Sequence, residues 1–473
     1  MGRNTSPAPP EDTQAAPVFN LPPELVHAIF ERLKQADVLL QARLACRLFA
    51  QIGLDHMLNT VSIVYKRDQF ERLGKIAGHP MAKGVHTRNI LDGYSTWEIL
   101  NIPAIATNRG SLRHADQEQL RQAYSAYVAT VRDQDNTANS EEDLSYLTTF
   151  FTGCDKLDNF TLALCEGVNG LIVPNPKAFQ DTIVLPFGDF TVLDQEVDQF
   201  WTVAKALWKS GRAVKHFTAA HVSHRILSPA WRDEPTDNII EHLMSGLREF
   251  RIELTCRGDV DHHPEAEVDI QLHHGQGLLA QWLSSGQELR VIKIRKYAPK
   301  HQYPAPDLQN AFGIETWPKL RELGLSDFSA TEDDLVDLLL RHAKYLRRLS
   351  LSDIELLEGS WESTFRRIAG QLTKLKKVRL RGLLRDPEDD LAMDDMDYDG
   401  TRIDEWRDDI EGYLLYGGEM PDLSETARMG LDDSLIEDAP DDKKPGRMDD
   451  EAAGHATDGS AISYGSDALD RKI

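Results

Sequence analysis

The sequence predicts an α/β protein. A small N-terminal helical module is followed by a solenoid of helix–strand repeats with a parallel sheet on its concave face, and then by an acidic C-terminal tail without fixed structure. Three observations carry this expectation. Residues 19–52 hold two apolar stripes at helical spacing. From residue 157 an apolar pattern, Leu-x-x-Leu-x-Leu with substitutes, recurs seven times, and a helical stripe precedes nearly every copy. Past residue 385 the chain becomes strongly acidic.

Residues 1–17 are polar and proline-rich and are expected to be disordered, with no secretory leader and no lipid anchor. Pro22 and Pro23 then open a helix whose apolar positions are Leu25, Val26, Ile29, Phe30 and Leu33. After a polar break at Lys34 to Asp37 comes a second amphipathic stretch, with Val38, Leu39, Leu40, Leu44, Ala45, Leu48, Phe49 and Ile52. About 40 residues cannot bury both stripes alone, so this unit needs the rest of the chain or a partner.

This stretch resembles an F-box. The matching residues are Leu21-Pro22-x-Glu24-Leu25, Ile29-Phe30-x-x-Leu33, Asp37-Val38-Leu39-Leu40 and Ala45-Cys46-Arg47-Leu48-Phe49. Phe49 stands where the family often has tryptophan. The likeness covers roughly 40 of 473 residues. It implies a three-helix module over residues 18–60 that docks the Skp-type adaptor of a cullin–RING ubiquitin ligase. Leu21, Pro22, Leu25, Ile29, Leu40, Leu44 and Phe49 would be the adaptor contacts. An ordinary helical hairpin is the alternative.

Beyond it, Val61 to Tyr65 reads as a strand, Asp68 to Ala77 and Asp116 to Val131 as helices, and Asp133 to Glu142 as a polar loop. The repeats begin at Leu157, Val214, Leu247, Leu289, Leu320, Leu346 and Leu375. Their intervals are 57, 33, 42, 31, 26 and 29 residues, so the early ones require insertions or a missed copy near 186. The preceding helical stripes include Trp201 to Trp208, Ile239 to Met244, Leu278 to Leu283, Leu335 to Leu340 and Phe365 to Ala369. A helix plus a short strand, repeated, leaves apolar faces covered only when the next unit stacks on them. Residues 316–384 resemble the C-terminal leucine-rich repeats of fungal F-box proteins, although Phe328, Ile354 and Leu383 replace the family's asparagine or cysteine. The expected solenoid spans 61–385. A parallel α/β sheet that is not a solenoid is the alternative.

Residues 386–473 hold 28 acids against 8 bases, a net of −20 out of the chain's −24. The rest of the chain is therefore close to neutral. Within this region 386–420 reads as an acidic loop and a capping helix with Ile403, Trp406, Ile410 and Tyr413 in one stripe. Residues 421–473 read as a disordered acidic tail.

No apolar run is long enough to span a membrane. The four cysteines lie far apart with no C-x-x-C pair, as suits reduced thiols in a cytoplasmic or nuclear protein. Asp395-x-Asp397-x-Asp399-Gly400 begins like a calcium loop, but its twelfth position is Trp406. Gly275-x-Gly277-x-x-Ala280 has the setting of a dinucleotide loop, but the next strand, VIKIRK, ends in bases rather than the ribose-binding acid. His262-His263 and His273-His274 bracket a strand without the remaining ligands of a zinc site. No nucleophile elbow, P-loop or H-E-x-x-H is present. The expectation is a non-enzyme with no cofactor or metal and no nucleic-acid or membrane partner.

A binding face does emerge. In such repeats the residues between the leucines point to the concave side: Thr161, Thr218, Arg251, Lys293, Gly324, Ser350 and Arg379, flanked by His216, Glu249, Arg295, Arg348, Lys377 and Arg381. Arg251, Lys293, Arg295, Arg348, Lys377, Arg379 and Arg381 are the candidate contacts for an acidic or phosphorylated target, with the chain's own acidic tail as a competing occupant. The function expected is the substrate-recognition subunit of an SCF-type ligase. A scaffold that binds the adaptor without driving degradation is the alternative.

Overall fold

The computed structural model describes residues 21–33, 36–57, 60–85, 87–91, 136–163, 193–228, 236–255, 277–297, 307–387, 390–392 and 402–423, with positions 125, 129, 132 and 133. Three short helices open it: α1 (Pro23–Arg32), α2 (Ala36–Arg43) and α3 (Arg47–Met57). Pro23 sits at the first helical position of α1, where its missing N–H would have had no intrahelical acceptor. Val26, Phe30, Leu39, Phe49 and Ile52 form a small core of their own, with the Phe30 and Phe49 rings edge to face at 5.4 Å.

Nine strands follow in one parallel sheet, in strict sequence order. They are β1 (Thr60–Val64), β2 (Thr87–Leu91), β3 (Asn159–Ala163), β4 (His216–Ser223), β5 (Glu249–Thr255), β6 (Val291–Tyr297), β7 (Glu322–Thr331), β8 (Arg348–Glu358) and β9 (Lys377–Arg381). Two short strands extend the end: β10 (Leu383–Arg385) pairs parallel to β8, and β11 (Asp390–Ala392) pairs antiparallel to β10. The helices between strands are α4 (Arg67–Ala77), α5 (Glu142–Gly153), α6 (Leu193–Ser210), α7 (Thr236–Ser245), α8 (Leu278–Ser284), α9 (Leu308–Phe312), α10 (Glu332–Arg341) and α11 (Trp361–Ile368). A last helix, α12 (Arg402–Tyr416), packs on β9.

The helical stripes read from the sequence coincide with α6, α7, α8, α10 and α11, whose starts are fixed by local chemistry. The Thr331 hydroxyl accepts from the Asp334 N–H at 3.1 Å, and the Ser360 hydroxyl accepts from the Ser363 N–H at 3.2 Å. Gly277 takes φ +66° at the turn into α8, so its glycine serves backbone geometry. The expected helix at 116–131 lies outside the described residues except Ser125 and Ala129. The expected polar loop at 133–142 includes a helical turn at 136–139.

One face of the sheet is apolar and buried. Phe160, Phe217, Phe250, Ile292, Leu323, Leu349 and Val378 form one row across β3 to β9, and Leu162, Ala219, Ile252, Ile294, Leu325, Leu351 and Leu380 form the next. Each buried leucine or phenylalanine contributes ~1.5–3 kcal/mol. Phe160, Phe217 and Phe250 stack nearly parallel on adjacent strands, at 5.6 and 6.3 Å between ring centres. Phe160 and Phe217 belong to adjacent strands although the copies start 57 residues apart; the position near 186 lies outside the described residues.

Register is also fixed by a backbone column. Asp327 (φ +61°), Asp353 (φ +52°) and Gly382 (φ +65°) occupy equivalent places in β7, β8 and just past β9. A methyl group on Gly382 would collide with the Asp353 carboxylate, which accepts from the Leu383 N–H at 3.2 Å. Phe217→Ala, which removes the middle ring of the stack, is expected to destabilise by ~3–5 kcal/mol, read as a lower midpoint in denaturant-induced unfolding.

Candidate partner-binding surfaces

The first candidate surface is on the N-terminal helices. Their small core uses one side of each helix and leaves large apolar side chains in solvent: Leu25 is 52% exposed, Ile29 39%, Val38 38%, Leu40 45% and Leu44 86%. Leu25 and Ile29 lie one turn apart on α1 and share a helical stripe, while Leu40 lies on α2 and Leu44 in the turn that follows it. Pro22 is exposed and Leu21 half-buried. Phe49 is buried, its ring edge to face with Phe30. Beside it, His27 Nδ1 and His56 Nε2 lie 2.9 Å apart. Partial burial and the neighbouring His27 hold His56 below its ordinary value.

The second candidate surface is the sheet face opposite the buried rows. The pairing places Thr161, Thr218, Arg251, Lys293, Gly324, Ser350 and Arg379 in one row, as the repeat alignment predicts. The same row extends back through Asn89 of β2 to Ser62 of β1. β2, Thr-Arg-Asn-Ile-Leu, carries no leading leucine to mark it.

Register neutralises most of this face. Arg251 pairs with Glu249 at 2.5 Å, and Glu249 also meets His216 at 3.2 Å. Glu322 takes Lys293 at 2.5 Å from β6 and Arg348 from β8. Burial works to raise the Glu322 carboxyl, but the hydrogen bonds and charges of these two cations outweigh it and hold it below its ordinary value. Arg295 lies opposite Glu253, whose carboxyl is raised by burial against the pull of that guanidinium. Lys377, Arg379 and Arg381, on β9, are exposed and make no ion pair among the described residues, although the charge of Arg379 acts on Glu411 of α12. The candidate set therefore divides in two: Lys293, Arg295 and Arg348 lie against carboxylates of neighbouring strands and Arg251 against Glu249 of its own strand, whereas the β9 trio makes no such pair.

An acidic pair, Asp327 and Asp353, sits midway along β7 and β8. Burial first, and the adjacent Asp353 second, push Asp327 up to about 6, against the Ser326 hydroxyl and the charges of Arg295 and Lys296. Lys296 is itself buried.

Of the glycine pair at 275 and 277, Gly277 sits at the turn into α8, and Gly275 lies outside the described residues. The calcium-like segment and the paired histidines lie outside the described residues. Among the described residues no cluster of three or more His, Cys, Asp or Glu side chains could hold a metal. No described helix is long and apolar enough to cross a membrane. No protein-family model matches this chain, and none of the curated proteins matches it.

Because Asp327 is raised relative to an unfolded aspartate, the folded state binds the extra proton. Stability contributed by that proton is present below pH ~4 and lost as pH rises through about 6. Asp327→Asn is expected to stabilise the protein at pH 7.5 by ~1–3 kcal/mol, after allowing for partial solvent screening, with the gain vanishing toward pH 4. Thermal unfolding of both proteins across that range checks the sign.

Proposed function

We propose that this chain is the substrate-recognition subunit of an SCF-type ubiquitin ligase: an F-box module at the N-terminus and a leucine-rich-repeat-like solenoid built on the parallel sheet. The observation that carries the reading is the apolar surface at Leu25, Ile29, Leu40 and Leu44, which neither the small helical core nor the main core covers. Several large aliphatic side chains in solvent on so small a unit are costly unless a partner buries them. A Skp-type adaptor is the partner whose recognition residues this segment resembles.

The nine parallel strands in sequence order, each followed or preceded by a helix, support the solenoid half of the reading. Glu411 of α12 accepts from the Leu380 N–H of β9 at 2.9 Å, and Ile410 and Leu414 are buried, as suits a helix that closes the last repeat. Burial raises the Glu411 carboxyl, against that backbone hydrogen bond and the nearby charge of Arg407.

Such a receptor acts through proximity. It holds a target near the charged conjugating enzyme and raises the effective concentration of the target's lysines, which requires no catalytic residue of its own.

Co-purification of the full chain with a Skp-type adaptor tests the reading. Wild type is expected to capture the adaptor, while Leu25→Asp and Leu44→Asp are expected to lose capture with unchanged thermal unfolding, since both side chains are already in solvent. Failure of the wild type to bind would remove the proposal. If adaptor capture is intact but turnover of a bound protein does not require the cullin, the chain is a scaffold instead.

A further inference from the structure

Six basic residues stand immediately ahead of six consecutive strands: Lys215, Arg248, Arg290, Arg321, Arg347 and Lys376, before β4 to β9. Their backbones form a continuous column. The Arg248 N–H donates to the Lys215 carbonyl at 2.7 Å, Arg290 to Arg248 at 2.7 Å and Arg321 to Arg290 at 2.7 Å; Arg347 follows to Arg321 and Lys376 to Arg347, both at 2.8 Å. Each of these carbonyls also receives the next residue's N–H, at 2.9 to 3.2 Å. The spacing of the side chains is thus set by the sheet, and no loop has to order to present them.

Few acids answer this column. Asp158 takes Lys215 at 2.8 Å. Glu288 is held below its ordinary value first by its hydrogen bond from Lys319, and Arg290 and Arg248 add their charges to the same carboxylate. Arg248, Arg321, Arg347 and Lys376 are exposed and make no ion pair among the described residues. Lys319, Lys344 and Lys374 lie in the same pre-strand loops, and at β9 the column meets Lys377, Arg379 and Arg381. Like charges directly opposite on neighbouring strands repel, so the column is a standing electrostatic cost that an anionic ligand relieves.

We propose that this edge of the sheet docks an extended segment of a partner protein rich in acidic or phosphorylated side chains, lying across the starts of β4 to β9. Five strand spacings of ~4.8 Å make a track of roughly 24 Å, the length of about seven extended residues. The column positions are all lysine or arginine, with no aromatic among them to stack a base, which favours a polypeptide over single-stranded nucleic acid. The column uses no residue of the N-terminal helices.

Fluorescence anisotropy on the full chain tests it, with labelled eight-residue peptides alternating glycine with glutamate, phosphoserine or serine. The first two are expected to bind at about 50 mM salt and to weaken steeply by about 300 mM, and the neutral peptide not to bind. Arg321→Gln with Arg347→Gln is expected to weaken anionic-peptide binding about tenfold, or ~1.4 kcal/mol. Arg251→Gln with Lys293→Gln removes the same charge from the open face and is expected to change it less than about twofold. Arg321→Lys with Arg347→Lys is expected to retain binding, which separates charge from fold. Glutamate and phosphoserine arms tell which chemistry the column prefers. Equal loss in both glutamine doubles, or no preference of the wild type for anionic over neutral peptide, would overturn the proposal. Tighter binding of an eight-nucleotide single strand than of either anionic peptide would overturn the choice of a protein partner.

Discussion

The structure depends on lateral pairing between neighbouring strands of a single parallel sheet. Each strand contributes inner residues such as Phe217 and Ala219, or Leu349 and Leu351, and these lie in rows that cross strand boundaries. A row is covered on its flanks only by the strands before and after it, and above by a helix. No strand–helix unit therefore has a complete core of its own. The two ends of such an array need special treatment. At the far end β9 receives α12, with a carboxylate on a backbone N–H and two buried aliphatic side chains beneath it. At the near end the three short helices bring their own small core and keep it separate from the main one.

Charge is distributed by the same register. On the open face acids and bases from adjacent strands meet, and Glu322 serves two cations from opposite sides. At the strand starts the register instead stacks base upon base, whereas Asp327 and Asp353 bring like charges together midway along β7 and β8. A parallel sheet cannot avoid this outcome, because one repeated position becomes one physical column. A side chain that is innocuous in one repeat acquires its consequence by recurrence.

Much of this was legible in the residues. The spacing of Leu320, Leu323 and Leu325, repeated at 346 and 375, fixed the register of the last strands to the residue. It also identified the open row from Thr161 to Arg379. β2 was not legible, since Arg88 stands at the register position that Phe160 and Phe217 hold in β3 and β4, even though Val85 and the stripe of Phe70, Leu73 and Ile76 precede it. The neutral centre of the open face was hidden for a different reason. Lys293 and Arg348 are 55 positions apart, and only the pairing of β6, β7 and β8 brings both to Glu322. The basic column had a signal in plain sight, a lysine or arginine one place before each of β4 to β9, but these positions lie outside the places between the leucines that mark the open face. Phe49 matched the F-box pattern by position, yet an aromatic at that helical phase packs inward on Phe30.

Strict sequence order among the strands also sets how freely the chain can grow. The cost of closing the connection between paired strands rises only with the logarithm of its length. The 57-residue interval before β4 costs about 0.7 kcal/mol more than the 26-residue interval before β8. Length between strands is thus almost free, whereas displacement of a single position within a strand turns every inner side chain outward. Variation in such a protein is channelled into its connections, where new sequence can be added without disturbing the framework that carries it.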